Sequence, residues 1–105
     1  MTSTAFPPVH PGVTLEADFL KPLELSGTRF AMDLHVPPPR INDILHGRRG
    51  ITAETALRIA RYFGTSATFW MNLQAQYDLA AAEDQSSAII EHEVRPRARK
   101  RPTTA

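Results

Sequence analysis

The sequence predicts an all-α fold of five short helices. Three observations point there. Apolar residues recur at helical spacing in short segments, and few stretches alternate as a half-buried strand would. Ser26, Thr52 and Ser66 each stand just before such a segment, where a hydroxyl can satisfy the free amides of a first helical turn. Gly and Pro stand where the segments end.

Each element follows in order. Pro7, Pro8 and Pro11 favour an extended arm over residues 1–11. The first helix is expected from about Val13 to Leu20. Leu15, Phe19 and Leu20 form its apolar face, and Pro22 stops it. Ser26 caps a second helix over 27–34, with Phe30, Ala31 and Leu34 turned inward. His35-Val36-Pro37-Pro38-Pro39 breaks the chain, because a residue before proline avoids the helical region. The third helix is expected from Pro39 to about His46, with Gly47 just beyond it. Its Ile41, Ile44 and Leu45 face the core, and Arg40, Asn42 and Asp43 face away.

Thr52 caps a fourth helix over 53–63, with Ala56, Leu57, Ile59, Ala60 and Phe63 as its apolar set and Gly64 at its end. Ser66 caps a fifth, expected over 67–83, which carries Phe69, Trp70, Leu73, Tyr77 and Leu79. Beyond Asp84 the pattern weakens, and Ala88, Ile89, Ile90 and Val94 fit a short strand or a helical turn. The expected organisation is an arm (1–11), a helical domain (12–84) and a basic tail (85–105), disordered when free.

Composition narrows the function. The chain has 105 residues, room for one domain with a small core. It has no cysteine, which excludes a disulfide scaffold, a thiolate zinc site, an iron–sulfur cluster and a thiol nucleophile. No apolar run approaches the ~20 residues of a membrane span. Residues 1–11 hold no basic residue ahead of an apolar stretch, so a cytoplasmic setting is expected. The histidines, His10, His35, His46 and His92, lack metal-ligand spacing, and neither a metal nor a cofactor is expected. A phosphate-cradling glycine loop, a serine elbow and a His-Glu-x-x-His pattern are all missing, so the chain does not read as an enzyme.

The formal charge of +1 is unevenly spread. Residues 1–84 carry 7 basic and 9 acidic side chains, whereas residues 85–105 carry 5 basic and 2 acidic. The tail excess is Arg95, Arg97, Arg99, Lys100 and Arg101. A second local excess holds Arg40, Arg48, Arg49, Arg58 and Arg61 against only Asp43 and Glu54. Such a zone suits nucleic-acid contact, and also suits a plain solvated face.

The helices at 27–34 and 39–46 suit a helix-turn-helix, whose second helix enters the major groove of DNA. That unit needs a small residue where the helices cross, an apolar residue in the turn and branched apolar residues beneath the second helix. Ala31, Val36, Ile41 and Ile44 meet these needs.

The order Phe30-Ala31, Val36-Pro37, Arg40-Ile41, Ile44-Leu45, Gly47, Arg49-Gly50-Ile51-Thr52 resembles the Cro/C1-type (Xre, lambda repressor-like) helix-turn-helix family. Within it the chain resembles the HigA-type, VapI-like antitoxins. Three segments carry that likeness: His10-Pro11-Gly12, Arg48 through Arg58, and Tyr62-Phe63-Gly64-Thr65-Ser66 leading to Phe69-Trp70-Met71-Asn72-Leu73-Gln74 and Tyr77-Asp78-Leu79. The resemblance covers about residues 10–83. It departs from the family pattern at His35, where glycine is frequent, at Pro39, where serine is, and at Gly27-Thr28, where a phosphate-contacting glutamine is.

The resemblance implies an antitoxin that binds a small HigB-type toxin of the RelE-like, messenger-RNA-cleaving class. It also implies repression of its own operon by a homodimer on double-stranded operator DNA. Arg40 is then a candidate for guanine, with phosphate contact or a pair with Asp43 as alternatives, and Asn42 a candidate for adenine. Asp43 is expected to orient Arg40, with acceptance from cytosine as the alternative. Thr28, Arg29, Arg48 and Arg49 are phosphate candidates, His46 would touch phosphate or water, and Pro39 opens the groove-facing helix. Phe69, Trp70, Leu73 and Tyr77 are expected in the core and at a dimer contact, with Asn72-Leu73-Gln74 at the edge of that interface. Two alternatives stay open: a stand-alone Xre-type regulator, and a toxin-neutralising module with little DNA binding.

Overall fold

A computed structural model of the chain describes residues 8–98. The described residues contain five helices and no strand. The first, α1, consists of an α-helical turn, Pro11–Thr14, that runs on as a π-helical segment, Leu15–Leu20. It starts two residues before the expected Val13, because His10 is its N-cap and Pro11 is tolerated at a first helical position. The π turn has a physical role. Its wider i→i−5 bonding, seen where the Lys21 amide donates to the Glu16 carbonyl at 2.9 Å, lets Leu15 and Leu20 both face inward.

Helices α2 (Gly27–Leu34) and α4 (Ala53–Phe63) occupy their expected spans, capped by Ser26 and Thr52. These are local signals, and the hydroxyls accept from the amides of Arg29 and Thr55. Helix α3 (Pro38–Leu45) begins one residue earlier than expected. Pro38 serves as its first residue and Pro37 precedes it in extended backbone, φ −57° and ψ 132°. Helix α5 (Ala67–Glu93) runs ten residues past its expected end at 83. It contains no glycine or proline through Glu93, so no strong breaker interrupts it. The stretch 88–93 is thus helical, neither strand nor isolated turn, and Val94 lies beyond it. Residues 94–98 are exposed and outside any helix. Residues 1–7 of the arm and Arg99, Lys100 and Arg101 of the basic tail lie outside the described residues.

One core joins the five helices. Leu15, Leu20, Phe30, Ala31, Ile41, Ile44, Ala56, Ile59 and Trp70 are fully buried. Helix α2 packs on α3 and α4, α4 on α5, and α1 on α3 and α5. Phe19 links α1 to both Phe63 and Trp70, with ring centroids 4.9 and 5.0 Å apart. The Trp70 indole N–H donates to the Thr65 hydroxyl at 2.9 Å, so its polar atom is satisfied in the interior. Gly12 lets α1 approach α3, because a Cβ there would lie 2.0 Å from the Ile44 carbonyl oxygen. Leu57, expected on the apolar face of α4, is instead 62% exposed, since α4 buries Thr55, Ala56, Ile59 and Ala60.

Candidate nucleic-acid interface

Helices α2 and α3 are joined by a tight turn at His35 and Val36. His35 takes left-handed backbone, φ 60° and ψ 44°, as a residue in the usual glycine place must. Its amide donates to the Met32 carbonyl, and the Val36 amide donates to the Ala31 carbonyl, at 3.1 and 3.0 Å. Val36 is buried beneath the turn. Arg58 of α4 donates to the Leu34 carbonyl at 2.9 Å, closing the last turn of α2 against α4.

This geometry opens a groove of about 870 Å³ between the starts of α2 and α3. Thr28, Pro39, Asn42 and His46 line it, together with Glu16 and Lys21 of α1. Thr28, Pro39, Asn42 and His46 are all exposed. The His46 ring is not idle there, for Nδ1 lies 2.8 Å from the Asn42 carbonyl. Arg40 is half-buried and lies outside the groove lining.

Arg29 is exposed and pairs with Asp33 on the next turn of α2 at 3.3 Å. Asp33 also accepts from the Tyr62 hydroxyl at 2.7 Å, a bond that holds the Tyr62 phenol above its ordinary pKa. Asp43 orients Arg48 rather than Arg40: its carboxylate accepts from Arg48 Nη2 at 3.0 Å and from Nε at 3.1 Å. The cause is Gly47, whose φ of 75° turns the chain back over α3.

Arg48 and Arg49 belong to a second depression of about 400 Å³, also lined by His10, Gly50, Gln74 and Tyr77. Both arginines are exposed. His10 is buried, and Nδ1 accepts from the Gly12 amide at 2.9 Å while its ring meets Tyr77 edge-on at 4.9 Å. Burial lowers its pKa, against the opposing pull of a hydrogen bond with the Arg49 backbone and of the Asp78 charge.

The large apolar residues of α5 separate. Trp70 is wholly within the core and free for no dimer contact, whereas Leu73 is half-buried against the core. Phe69 is 40% exposed and sits edge-on to Trp70, and Tyr77 rests on His10. Gln74 is buried, and Oε1 accepts from the Ile51 amide at 2.7 Å while Nε2 donates to Asp78 at 2.9 Å. The sequence reading missed this contact, and the signal available for it was a polar side chain one turn after Trp70, on the inner face of α5.

Among the described residues no cluster of His, Asp and Glu could hold a metal ion, and no helix is long and apolar enough to cross a membrane.

Comparison with known proteins agrees with this geometry. A helix-turn-helix family model matches residues 17–70. The chain is 51% identical over 83 residues to virulence-associated protein I of Dichelobacter nodosus, covering 79% of this chain and 77% of that protein. A solved structure of Pseudomonas aeruginosa antitoxin HigA with the higBA promoter superposes with a TM-score of 0.82 at 47% identity, covering 85% of this chain and 97% of that one. An addiction-module antidote protein of the HigA family from Coxiella burnetii superposes with a TM-score of 0.81 at 42% identity, over 88% of this chain and all of that one.

Proposed function

Because the chain belongs to the Xre-type helix-turn-helix family, in its HigA-type branch, we propose that it is an antitoxin that represses its own operon as a homodimer. The single observation behind this is the α2–turn–α3 unit with its open polar face, in a fold shared with a HigA that was solved on promoter DNA. Two protomers would set their α3 helices in successive major grooves, about 34 Å apart. Asn42 and Arg40 would read bases, and Thr28, Arg48 and Arg49 would meet phosphates. A second copy would lie along the outer end of α5, where Leu79, Ile89 and Ile90 are exposed.

The second half of the proposal is neutralisation of a HigB-type, RelE-like ribonuclease. The surface proposed for it is α1 and the preceding arm, a reading supported by the exposure of Val13, Ala17 and Asp18. Occupancy of that surface and of the operator would be coupled reciprocally.

Fluorescence anisotropy on the chain's own upstream duplex and a scrambled duplex, at two salt concentrations, tests the repressor. The expected result is a preference of about 10³ with a log–log salt slope of roughly −4 to −5. Equal and weak binding to both duplexes would leave a toxin-binding module without a repressor. Co-expression with the toxin-like reading frame beside its gene tests neutralisation, with growth rescued only when this chain is present.

A further inference from the structure

We propose that Gln74 of α5 is a positioning residue for phosphate contact, which sets the loop bearing Arg48 and Arg49 without touching DNA itself. The inference rests on the repressor function proposed above. Its physical basis is the two-sided chemistry of a primary amide. Gln74 offers one acceptor and one donor end, and both are used. Asp78 can only accept when ionised, so it takes the NH₂ end at 2.9 Å. The carbonyl end must then face the loop, where it takes the Ile51 amide at 2.7 Å.

The loop is shaped to receive it. A Cβ on Gly50 would lie 2.8 Å from Gln74 Nε2, so the residue beside the amide has no side chain. Ile51 is buried and anchors the exit of the loop in the core. At the entry, the Arg48 amide donates to the Asp43 carbonyl at 2.8 Å. Between these points both arginines line the depression that His10 and Tyr77 also line. The loop that carries the two arginines is thus tied to α3 at its entry and to α5 at its exit. Without the Gln74 acceptor the Ile51 amide would be a buried donor with no partner, and the loop would move to find one.

The test measures binding of the full chain, Gln74→Leu, Gln74→Glu and the double variant Gln74→Glu/Asp78→Asn to the upstream and scrambled duplexes across a salt series. Gln74→Leu is expected to weaken binding to both duplexes by the same factor, about 10-fold, and to flatten the salt slope by about 2 per dimer, one phosphate contact per protomer. Gln74→Glu is expected to weaken it as well, because two carboxylates then face each other. The double variant is expected to recover wild-type slope and affinity, since the new carboxylate can accept from both sides. A merely structural role would not move the slope.

Circular dichroism and amide exchange at Ile51 accompany the series. If Gln74→Leu does not fold, the Gln74→Glu and double-variant pair decides. An unchanged slope in a folded variant, or no recovery in the double variant, overturns the positioning role while the repressor stands. If the wild-type chain itself shows no preference for its own DNA, the repressor function falls and the positioning role falls with it.

Discussion

Arg48 reaches back to Asp43 with two nitrogens, Nη2 at 3.0 Å and Nε at 3.1 Å from the same carboxylate oxygen. The pair is partly exposed, so it adds little stability, about 0.5 kcal/mol or less. Its larger effect is to hold one of the phosphate candidates under a local negative charge. Asp43→Ala should therefore tighten binding to scrambled DNA several-fold with little change in melting temperature. Arg48→Ala should weaken specific and scrambled duplexes alike, reducing the salt slope by about 0.9 per protomer. A tighter Arg48→Ala variant would contradict both assignments.

Base contact should separate from phosphate contact on α3. Arg40→Ala and Asn42→Ala are each expected to weaken operator binding by about 1–3 kcal/mol and to leave scrambled-duplex binding nearly unchanged. Toxin neutralisation, scored by growth in co-expression, should survive the double change. Loss of both functions together would place the toxin surface on α3 instead of α1.

The α1–α3 contact should be the least tolerant site in the domain. Gly12→Ala would push a methyl group against the backbone of Ile44, which cannot swing aside. About 3 kcal/mol of destabilisation is expected in urea unfolding. Gly50→Ala meets side-chain atoms of Gln74 instead and is expected to cost about 1 kcal/mol. The reverse order would mean that α1 moves more freely than the loop.

His10 should make stability depend on pH. Burial lowers its folded pKa below the ordinary 6.5, and Nδ1 already accepts the Gly12 amide, leaving no room for a proton. The unfolded chain then binds the proton more readily, so its contribution to stability is complete above about pH 6.5. It is lost progressively as pH falls from there toward the folded value and is constant below that. Urea unfolding at pH 7.5 and 5 should show the decline. His10→Asn keeps a capping acceptor without the titration and should flatten the curve between those values.

Much of this architecture was legible because it is local. Ser26, Thr52 and Ser66 cap where their hydroxyls lie beside the first amides, and His35 takes the left-handed turn that its place demands. The end of α5 was not legible from apolar spacing, because its last turns have no core to face. The absence of glycine and proline between Ser66 and Val94 was the better guide. The Asp43 partner was missed for a different reason. Arg40 lies at i−3 on the same helix, a favourable spacing, but the chain reversal at Gly47 presents Arg48 to the same carboxylate. Gln74 likewise joins residues 23 positions apart, and no local pattern announces its partner Ile51.

The three prolines at the start of α3 have a consequence for the unfolded chain. An eight-residue helix is too short to persist by itself in water. Pro37, Pro38 and Pro39 each confine φ before folding begins, so the disordered ensemble has fewer conformations to give up there. Each such restriction is worth about 0.4–1 kcal/mol where the native backbone accommodates the ring. The helix that faces the groove thus gives up less chain entropy at its leading end when the domain folds.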